Sequence, residues 1–215
     1  MELKNIYRGN EIKFAPLFRA LQSALLDDFS RSHPDFQKGE KFSSIPYWQN
    51  PTGKNSTLYS EENAWKVSGI KHPSVGLVES NRNKYPTAFN LVEAFGVHCP
   101  IASYSILEPN TVIFRHTDIE NREAKFIRIH VPLYIPQGDI GFEAENKEVF
   151  WDDVWGFNNQ KLHSAWNNTN ERRLIFLIDL SREICNLPPA PKWFPGCNEG
   201  IPVFEKTRDP NWTSH

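Results

Sequence analysis

The chain has 215 residues, 39% hydrophobic and 23% charged, a length that fits one globular domain able to bury a sizeable core. Its 24 basic and 26 acidic residues leave a formal charge of −2, so no basic excess exists to hold a phosphate backbone and we expect no nucleic-acid partner. No apolar run approaches the roughly 20 residues that span a bilayer, and the first residues lack the apolar stretch of a signal peptide. We therefore expect a cytoplasmic protein without a membrane partner; its oligomeric state is not determined by the sequence.

The N-terminal part, residues 1–95, is expected to consist of helices and loops around the edge of a single domain, 1–215. Within 12–32, apolar residues recur at spacings of three and four, which is the helical pattern. Residues 33–100 contain clusters of Gly, Pro, Asn and Ser that indicate turns, with a second helix expected over 84–95.

The segment 101–182 changes character and is rich in β-branched and aromatic residues, in short stretches separated by turn formers. Because no long helix separates these stretches, they predict a mainly β fold, a double-stranded β-helix of the jelly-roll or cupin kind with flanking N-terminal helices. The last segment, 183–215, contains six prolines and is expected to form an extended Pro-rich arm. The predicted strands are Ile101–Leu107, Thr111–His116, Phe126–Ile135, Ile140–Ala144, Glu148–Trp151 and Arg172–Leu180.

The three cysteines, Cys99, Cys185 and Cys197, are an odd number and match no zinc-binding spacing. We expect reduced thiols. A disulfide between Cys185 and Cys197 is the alternative.

A His-x-Asp motif stands at the end of the second predicted strand. Residues two apart in an extended chain point to the same face, so His116 and Asp118 can both face the mouth of a barrel. His163 follows 47 residues later in another short extended stretch. Two imidazoles and one carboxylate are the ligands of the facial triad in non-haem Fe(II) oxygenases. The motif by itself is weak, because a histidine in a strand is often only a hydrogen-bonded side chain.

An arginine inside the last predicted strand strengthens this interpretation. Arg173 shares a face with Ile175 and Leu177, and an inward-facing guanidinium is unfavourable unless it meets an anion. A dicarboxylate would supply that anion, and arginine offers a planar fork for it. The alternatives are an ion pair with a structural carboxylate or a position at the wet end of the strand.

A second polar pair, Arg128 and His130, shares one face of a strand whose other face is apolar. This pattern favours a polar site in the interior of the barrel. The alternative is an ordinary half-exposed strand with its polar side in water.

Residues from about 101 to 182 resemble the aspartyl/asparaginyl β-hydroxylase family, which includes the bacterial L-proline hydroxylases. The matching stretches are SILEPNTVIFRHTD (105–118), FIRIHVPL (126–133) and LHSAWNNTNERRLIFLIDL (162–180). The resemblance implies a double-stranded β-helix that uses Fe(II), 2-oxoglutarate and O2 to hydroxylate an unactivated C–H bond.

The resemblance also assigns roles to particular residues. Asp118 stands where the vertebrate enzymes have glycine and the proline hydroxylases have aspartate, so the chain resembles the branch with a full triad. Arg173 matches the arginine that binds the distal carboxylate of 2-oxoglutarate. The implied iron ligands are His116, Asp118 and His163, and the positions around the cosubstrate are Arg173, Ser105, Arg128 and His130.

Two departures from the family pattern bear on the substrate. Asn158-Asn159 replaces a frequent Asp-Asp pair, and the loop between Asp118 and Arg128 is longer than in the vertebrate enzymes. We therefore expect a free amino acid or an amino-acid-derived small molecule as substrate. The alternative is an amino-acid residue, such as Asp or Asn, in a peptide or carrier-bound substrate. Candidate substrate contacts, each of which also has a structural interpretation, are Arg122, Trp151, Trp155 and Trp166.

Two other classes of protein are compatible with the histidines. A non-catalytic, cupin-like metal-binding module would keep them but would not need an inward arginine ten residues after His163. A zinc-bearing cupin hydrolase or isomerase would be indifferent to 2-oxoglutarate.

Overall fold

The computed structural model describes residues 4–38, 65–116, 118, 125–144, 147–149 and 151–188, without the side chains of Phe114 and His116. Within these ranges the chain forms two α-helices, four short 3₁₀ turns and eleven strands. No helix there is long and apolar enough to cross a membrane. The helices are α1 (Ala15–Ser32) and α2 (Pro86–Phe95), and the 3₁₀ turns are Gly9–Glu11, Phe36–Lys38, Glu79–Asn81 and Gly96–His98. The strands are β1 (Ile6–Arg8), β2 (Trp65–His72), β3 (Gly76–Leu77), β4 (Ile101–Leu107), β5 (Thr111–His116), β6 (Phe126–Tyr134), β7 (Ile140–Ala144), β8 (Lys147–Val149), β9 (Trp155–Phe157), β10 (His163–Asn167) and β11 (Arg173–Ser181).

The described strands form two antiparallel sheets. The major sheet has seven strands in the order β1-β9-β6-β11-β4-β2-β3, and the minor sheet has four in the order β5-β10-β7-β8. Neighbours in space that are distant in sequence, such as β6 beside β11 and β5 beside β10, are typical of a jelly roll. The predicted fold class, a mainly β double-stranded β-helix with flanking helices, is confirmed.

Both helices begin and end where the local sequence favours it. Each carries a proline in its first turn, Pro16 in α1 and Pro86 in α2, where the missing N–H has no intrahelical acceptor in any case. Gly96 follows α2 with φ of 56°, a conformation that suits glycine at a helix end. Helix α1 begins three residues later than the predicted 12–32, and α2 begins two residues later than the predicted 84–95.

The major sheet separates two apolar clusters, and the period-two alternation of its strands decides which side chain enters which. On one face, Leu174, Phe176 and Ile178 pack with α1 and α2. On the other face, Leu177 joins a cluster that fills the space between the two sheets. Arg173 lies four residues before Leu177, so its side chain points to the same face of β11, toward the minor sheet.

The N-terminal part differs from the expected helices and loops, because it also contributes three strands to the major sheet. Strand β2 pairs with β4 over its whole central part, and β1 pairs with β9. The stretch WKVSGIKH at 65–72 does alternate partly between apolar and polar residues, but Gly69 and the turn-rich surroundings obscured the pattern. The prediction for 183–215 falls mostly on residues outside the described part.

Cys99 and Cys185 are buried and free, and burial raises the pKa of both thiols to about 12. Neither thiol is therefore activated for chemistry, in agreement with the expected reduced state. Cys197 lies outside the described residues.

Gly141 in β7 provides a test of packing in the minor sheet. It lies directly opposite Trp166 of β10, and a Cβ at this position would sit 2.0 Å from Cζ2 of the indole. We expect Gly141→Ala to lower the free energy of unfolding by about 1–3 kcal/mol, because the ring must move. Urea unfolding measures this effect. The same change in a Trp166→Leu background should be nearly neutral. An unchanged stability in the wild-type background would show that the ring turns away without strain.

Candidate active site

A cavity of about 390 Å³, counting its open mouth, lies between the two sheets. Its apolar wall includes Ile113, Phe142 and Phe157 from both sheets. The polar residues that line it are Ser105, Arg128, His130, His163, Ser164 and Arg173. Four of the predicted site residues, Ser105, Arg128, His130 and Arg173, thus come from three adjacent strands of the major sheet, and His163 faces them from the minor sheet.

His163 and Asp118 lie close together at one end of this cavity. Nε2 of His163 is 3.8 Å from Oδ2 of Asp118, and both side chains are largely buried. Nδ1 of His163 donates a hydrogen bond of 2.8 Å to the carbonyl oxygen of Lys161, which favours the neutral tautomer with no hydrogen on Nε2. The backbone of His116 pairs directly with that of His163 across β5 and β10, while its side chain lies outside the described part.

Asp118 is held by two neighbouring elements. Its Oδ2 accepts hydrogen bonds from Nη1 of Arg128 and, at 3.1 Å, from Nδ2 of Asn159. Its backbone N–H donates to the carbonyl oxygen of Asn159 at 2.9 Å. Asn159 is one of the two asparagines that replace the frequent Asp-Asp pair, and its amide donor is compatible with a neighbouring carboxylate where an aspartate would repel it.

Arg128 carries a second carboxylate on its other side. Its Nε and Nη2 donate to the two carboxylate oxygens of Asp179 at 2.8 and 2.9 Å, a bidentate arrangement. The register of β6 and β11 places these two residues directly opposite each other. Burial raises the pKa of Asp179, and the adjacent Arg128 charge opposes that rise.

Arg173 is the exception among the buried charges of the cavity. Only 2% of the residue is exposed, yet its Nε and Nη1 have no hydrogen-bond partner among the described residues. Its guanidinium stacks over the indole of Trp151 at 5.1 Å from the ring centroid. Burial lowers the pKa of Arg173 to about 9, so the group still carries its charge at neutral pH. Among the described residues, the buried Arg173 guanidinium therefore has no anionic partner.

His130 lies beside Arg173 within an aromatic cluster. Its ring is stacked on Trp151, with centroids 5.8 Å apart, and meets Trp155 edge-on at 4.5 Å. Burial, and then the nearby Arg173 and Arg128 charges, lower its pKa well below the usual value, so His130 is neutral. Its Nδ1 is buried without a partner among the described residues.

The alternatives that the sequence left open for these strands are now decided by burial. Arg128 and His130 are 3% and 4% exposed, so their face of β6 is an interior face and does not lie in water. Arg173 pairs with no structural carboxylate in the described residues and does not lie at a wet strand end.

The candidate substrate contacts separate into three groups. Trp151 and Trp155 pack against His130, which lines the cavity, but they do not line it themselves. Trp166 packs over Gly141 and donates from Nε1 to Asp139 at 2.7 Å, which is a structural role on the outer face of the minor sheet. Arg122 lies outside the described residues.

Three residues of the site were not found from the sequence. Trp65 lines the cavity and donates from Nε1 to Oγ of Ser105 at 2.9 Å, while Asp179 and Asn159 hold Arg128 and Asp118. Of these three, the sequence offered a signal for Asp179: it follows Arg173 by six residues in the same strand, so both side chains point to the same face.

Comparison with known proteins identifies the family. A family model described as aspartyl/asparaginyl beta-hydroxylase matches residues 29–183, well over half of the chain. The chain belongs to the aspartyl/asparaginyl β-hydroxylase family. The resemblance on 101–182 is thus confirmed, and the family match extends into the N-terminal part as far as α1.

The curated members of the family that match this chain are similar to it over only part of its length. The aspartyl/asparaginyl beta-hydroxylases of Homo sapiens and Mus musculus are each 30% identical over 79 residues, which is 36% of this chain and 10% of theirs. The match therefore spans about a tenth of the curated relatives.

Among solved structures, a prolyl hydroxylase from Trichoplax adhaerens in complex with a hypoxia inducible factor peptide fragment has a TM-score of 0.47 and 13% identity. It covers 82% of this chain and 90% of its own. A 2OG-Fe(II) oxygenase family oxidoreductase from Burkholderia pseudomallei has a TM-score of 0.38 and 13% identity, covering 55% and 69%.

Proposed function

We propose that this chain is an Fe(II)- and 2-oxoglutarate-dependent dioxygenase that hydroxylates an unactivated C–H bond of a free amino acid or an amino-acid-derived small molecule. The observation that carries the proposal is the buried guanidinium of Arg173, whose unpaired N–H groups line the same cavity as His163. Such a group binds a carboxylate in two-point fashion, and 2-oxoglutarate provides one at the end remote from its metal-chelating atoms. A non-catalytic metal-binding cupin would have no use for it.

The donor set fits iron. His116, Asp118 and His163 would hold the metal, since two neutral imidazoles and one carboxylate leave three coordination positions open. Bound Fe(II) would supply the activation of O2 and the oxidation of the cosubstrate and substrate. The chain itself provides the orientation of His163 through Lys161 and of Asp118 through Arg128 and Asn159.

The cosubstrate would lie along the inner face of the major sheet. Arg173 would bind its distal carboxylate, with the Ser105 hydroxyl as a second donor, because Oγ of Ser105 already accepts a bond from Trp65. Neutral His130 and Arg128 lie further along the same face, toward Asp118. The aromatic rings of Phe142, Phe157 and their neighbours exclude water around these charges, which strengthens each charge-assisted bond.

Two features support a small substrate. Asp118 and the length of the loop that follows it resemble the proline hydroxylases. Most of the polar groups that line the cavity would be used by the metal ion and the cosubstrate, which leaves few for the substrate. A compact amino acid recognised through its own carboxylate and amine suits that space better than an extended chain does.

The test is turnover by the purified full chain with Fe(II), 2-oxoglutarate and air, against a panel of free amino acids. A true substrate should raise 2-oxoglutarate consumption well above the background and yield a product heavier by one oxygen atom, read by mass spectrometry. If only a peptide or a carrier-bound residue is hydroxylated, the small-substrate part is wrong. If no compound tested stimulates 2-oxoglutarate consumption and the protein binds zinc instead of iron, the assignment as a dioxygenase is wrong.

A further inference from the structure

Three buried charged residues join the two sheets beside the cavity. Asp179 belongs to β11 and Arg128 to β6 of the major sheet, whereas Asp118 follows β5 of the minor sheet. The exposed fractions of their side chains are 2%, 4% and 10%. Arg128 contacts both carboxylates, so the series runs Asp179, Arg128, Asp118.

We propose that Asp179 is a positioning residue for the metal centre: through Arg128 it holds the carboxylate of Asp118 where a metal ion can use it. This inference rests on the proposed function, since it takes Asp118 as a metal ligand. Asp179 would not contact a bound metal ion itself. It acts through the guanidinium that it orients.

The geometry of Arg128 shows how the effect is transmitted. Two of its nitrogens are engaged by Asp179 at 2.8 and 2.9 Å, which fixes the plane of the guanidinium. The third nitrogen, Nη1, then points at Oδ2 of Asp118. Without Asp179, Arg128 would keep its charge but lose the bidentate contact that sets its direction.

The charge of Asp179, like its contact with Arg128, favours metal binding at Asp118. Two carboxylates and one guanidinium sum to −1, which favours a nearby dication. Removing the Asp179 charge leaves Arg128 to neutralise Asp118 alone, so that Asp118 is offered to a metal ion as part of a neutral pair. Both effects predict weaker metal binding when Asp179 is neutralised. Partners of metal ligands commonly change metal affinity by about 10–100-fold.

A purely structural ion pair makes a different prediction. Breaking a buried pair destabilises the fold but leaves the metal affinity of the folded protein unchanged. The chain offers a matched control in Asp28, which is 2% exposed, accepts from Arg31 and from the backbone N–H of Thr87 at 2.6 Å, and lies in α1 away from the cavity.

The experiment titrates the metal-free 215-residue protein with Co(II), an air-stable probe for the Fe(II) site, by calorimetry and by the visible absorption of the bound ion. The variants are Asp179→Asn, Asp179→Glu, Arg128→Lys and Asp28→Asn. Asp179→Asn should bind Co(II) at least tenfold more weakly, with altered absorption bands, and Asp179→Glu should recover part of the loss. Arg128→Lys keeps the charge but cannot bridge two carboxylates, so it should also bind more weakly. Asp28→Asn should unfold more easily and bind Co(II) as the wild type does.

The outcomes separate this inference from the proposed function. If the wild-type chain binds no Co(II), the metal site and the proposed function both fail. If the wild type binds and turns over while Asp179→Asn and Arg128→Lys bind Co(II) with wild-type affinity and spectrum, Asp179 is structural only and the inference is overturned. Should Asp179→Asn not fold, Asp179→Glu and Arg128→Lys decide the question alone.

Discussion

Replacing His163 with alanine is expected to abolish turnover and to reduce the iron content of the purified protein to a small fraction. The imidazole is 5% exposed, its Nε2 lies 3.8 Å from the Asp118 carboxylate, and its ring packs against Phe142 and Phe157. Loss of one of three protein ligands leaves too few donors to retain Fe(II). Product formation and metal content per chain measure the effect.

The companion variants sharpen this result. His116→Ala should behave like His163→Ala, and Asp118→Ala should be severely impaired, although the vertebrate branch functions with glycine at that position. His98→Ala is the matched control, because His98 hydrogen-bonds Ser181 and does not line the cavity, so this change should leave turnover intact. Full activity in His163→Ala would end the assignment of the metal ligands.

Replacing Arg173 with alanine is expected to weaken 2-oxoglutarate binding by about 2–5 kcal/mol, roughly thirtyfold or more, because a largely desolvated carboxylate loses its charged partner. The same change should not destabilise the ligand-free fold. Arg173→Met, which fills more of the space, should give the same result. A buried guanidinium without an anion is itself unfavourable, so its removal relieves the unliganded protein. Calorimetric titration with 2-oxoglutarate and urea unfolding without ligand give the two readings.

The neighbouring residue, Arg172, is expected to show the opposite effects on stability and on 2-oxoglutarate affinity. Its Nε donates to Glu108 at 2.7 Å and its side chain stacks on Phe36, all on the face of the strand away from the cavity. Arg172→Ala should therefore lower the free energy of unfolding and leave the 2-oxoglutarate affinity close to that of the wild type. Sensitivity of 2-oxoglutarate binding to Arg172 instead of Arg173 would mean that the strand faces are assigned the wrong way round.

Much of this architecture follows from period-two alternation in short segments. Three predicted strands, 101–107, 111–116 and 140–144, have the observed bounds, and three others differ at their ends by one or two residues. Alternation also placed Arg173 on the same face of β11 as Ile175 and Leu177, which is the face that lines the cavity. These features depend only on neighbours along the chain, which the sequence displays directly.

Residues whose roles depend on distant partners could not be predicted in this way. Asp179 reads as an ordinary charge near a strand end until the register of β11 against β6 places it opposite Arg128, 51 residues away. Asn159 reads as a turn residue until its loop passes beside Asp118. Trp65 belongs to a strand that was expected to be loop, so its bond to Ser105 could not be foreseen.

The sequence by itself determined the β-rich class and the likeness to a hydroxylase family, and it pointed to the residues proposed to bind the metal and the cosubstrate, since these features reside in residue types and local spacing. Only the tertiary structure decided which of those charges are satisfied. Strand register and the approach of the two sheets pair Arg128 with two carboxylates and leave Arg173 buried with unpaired N–H groups. Hydrogen-bond satisfaction is a property of three-dimensional neighbours, and among the described residues it distinguishes Arg128, which is paired with two carboxylates, from Arg173, whose Nε and Nη1 are unpaired.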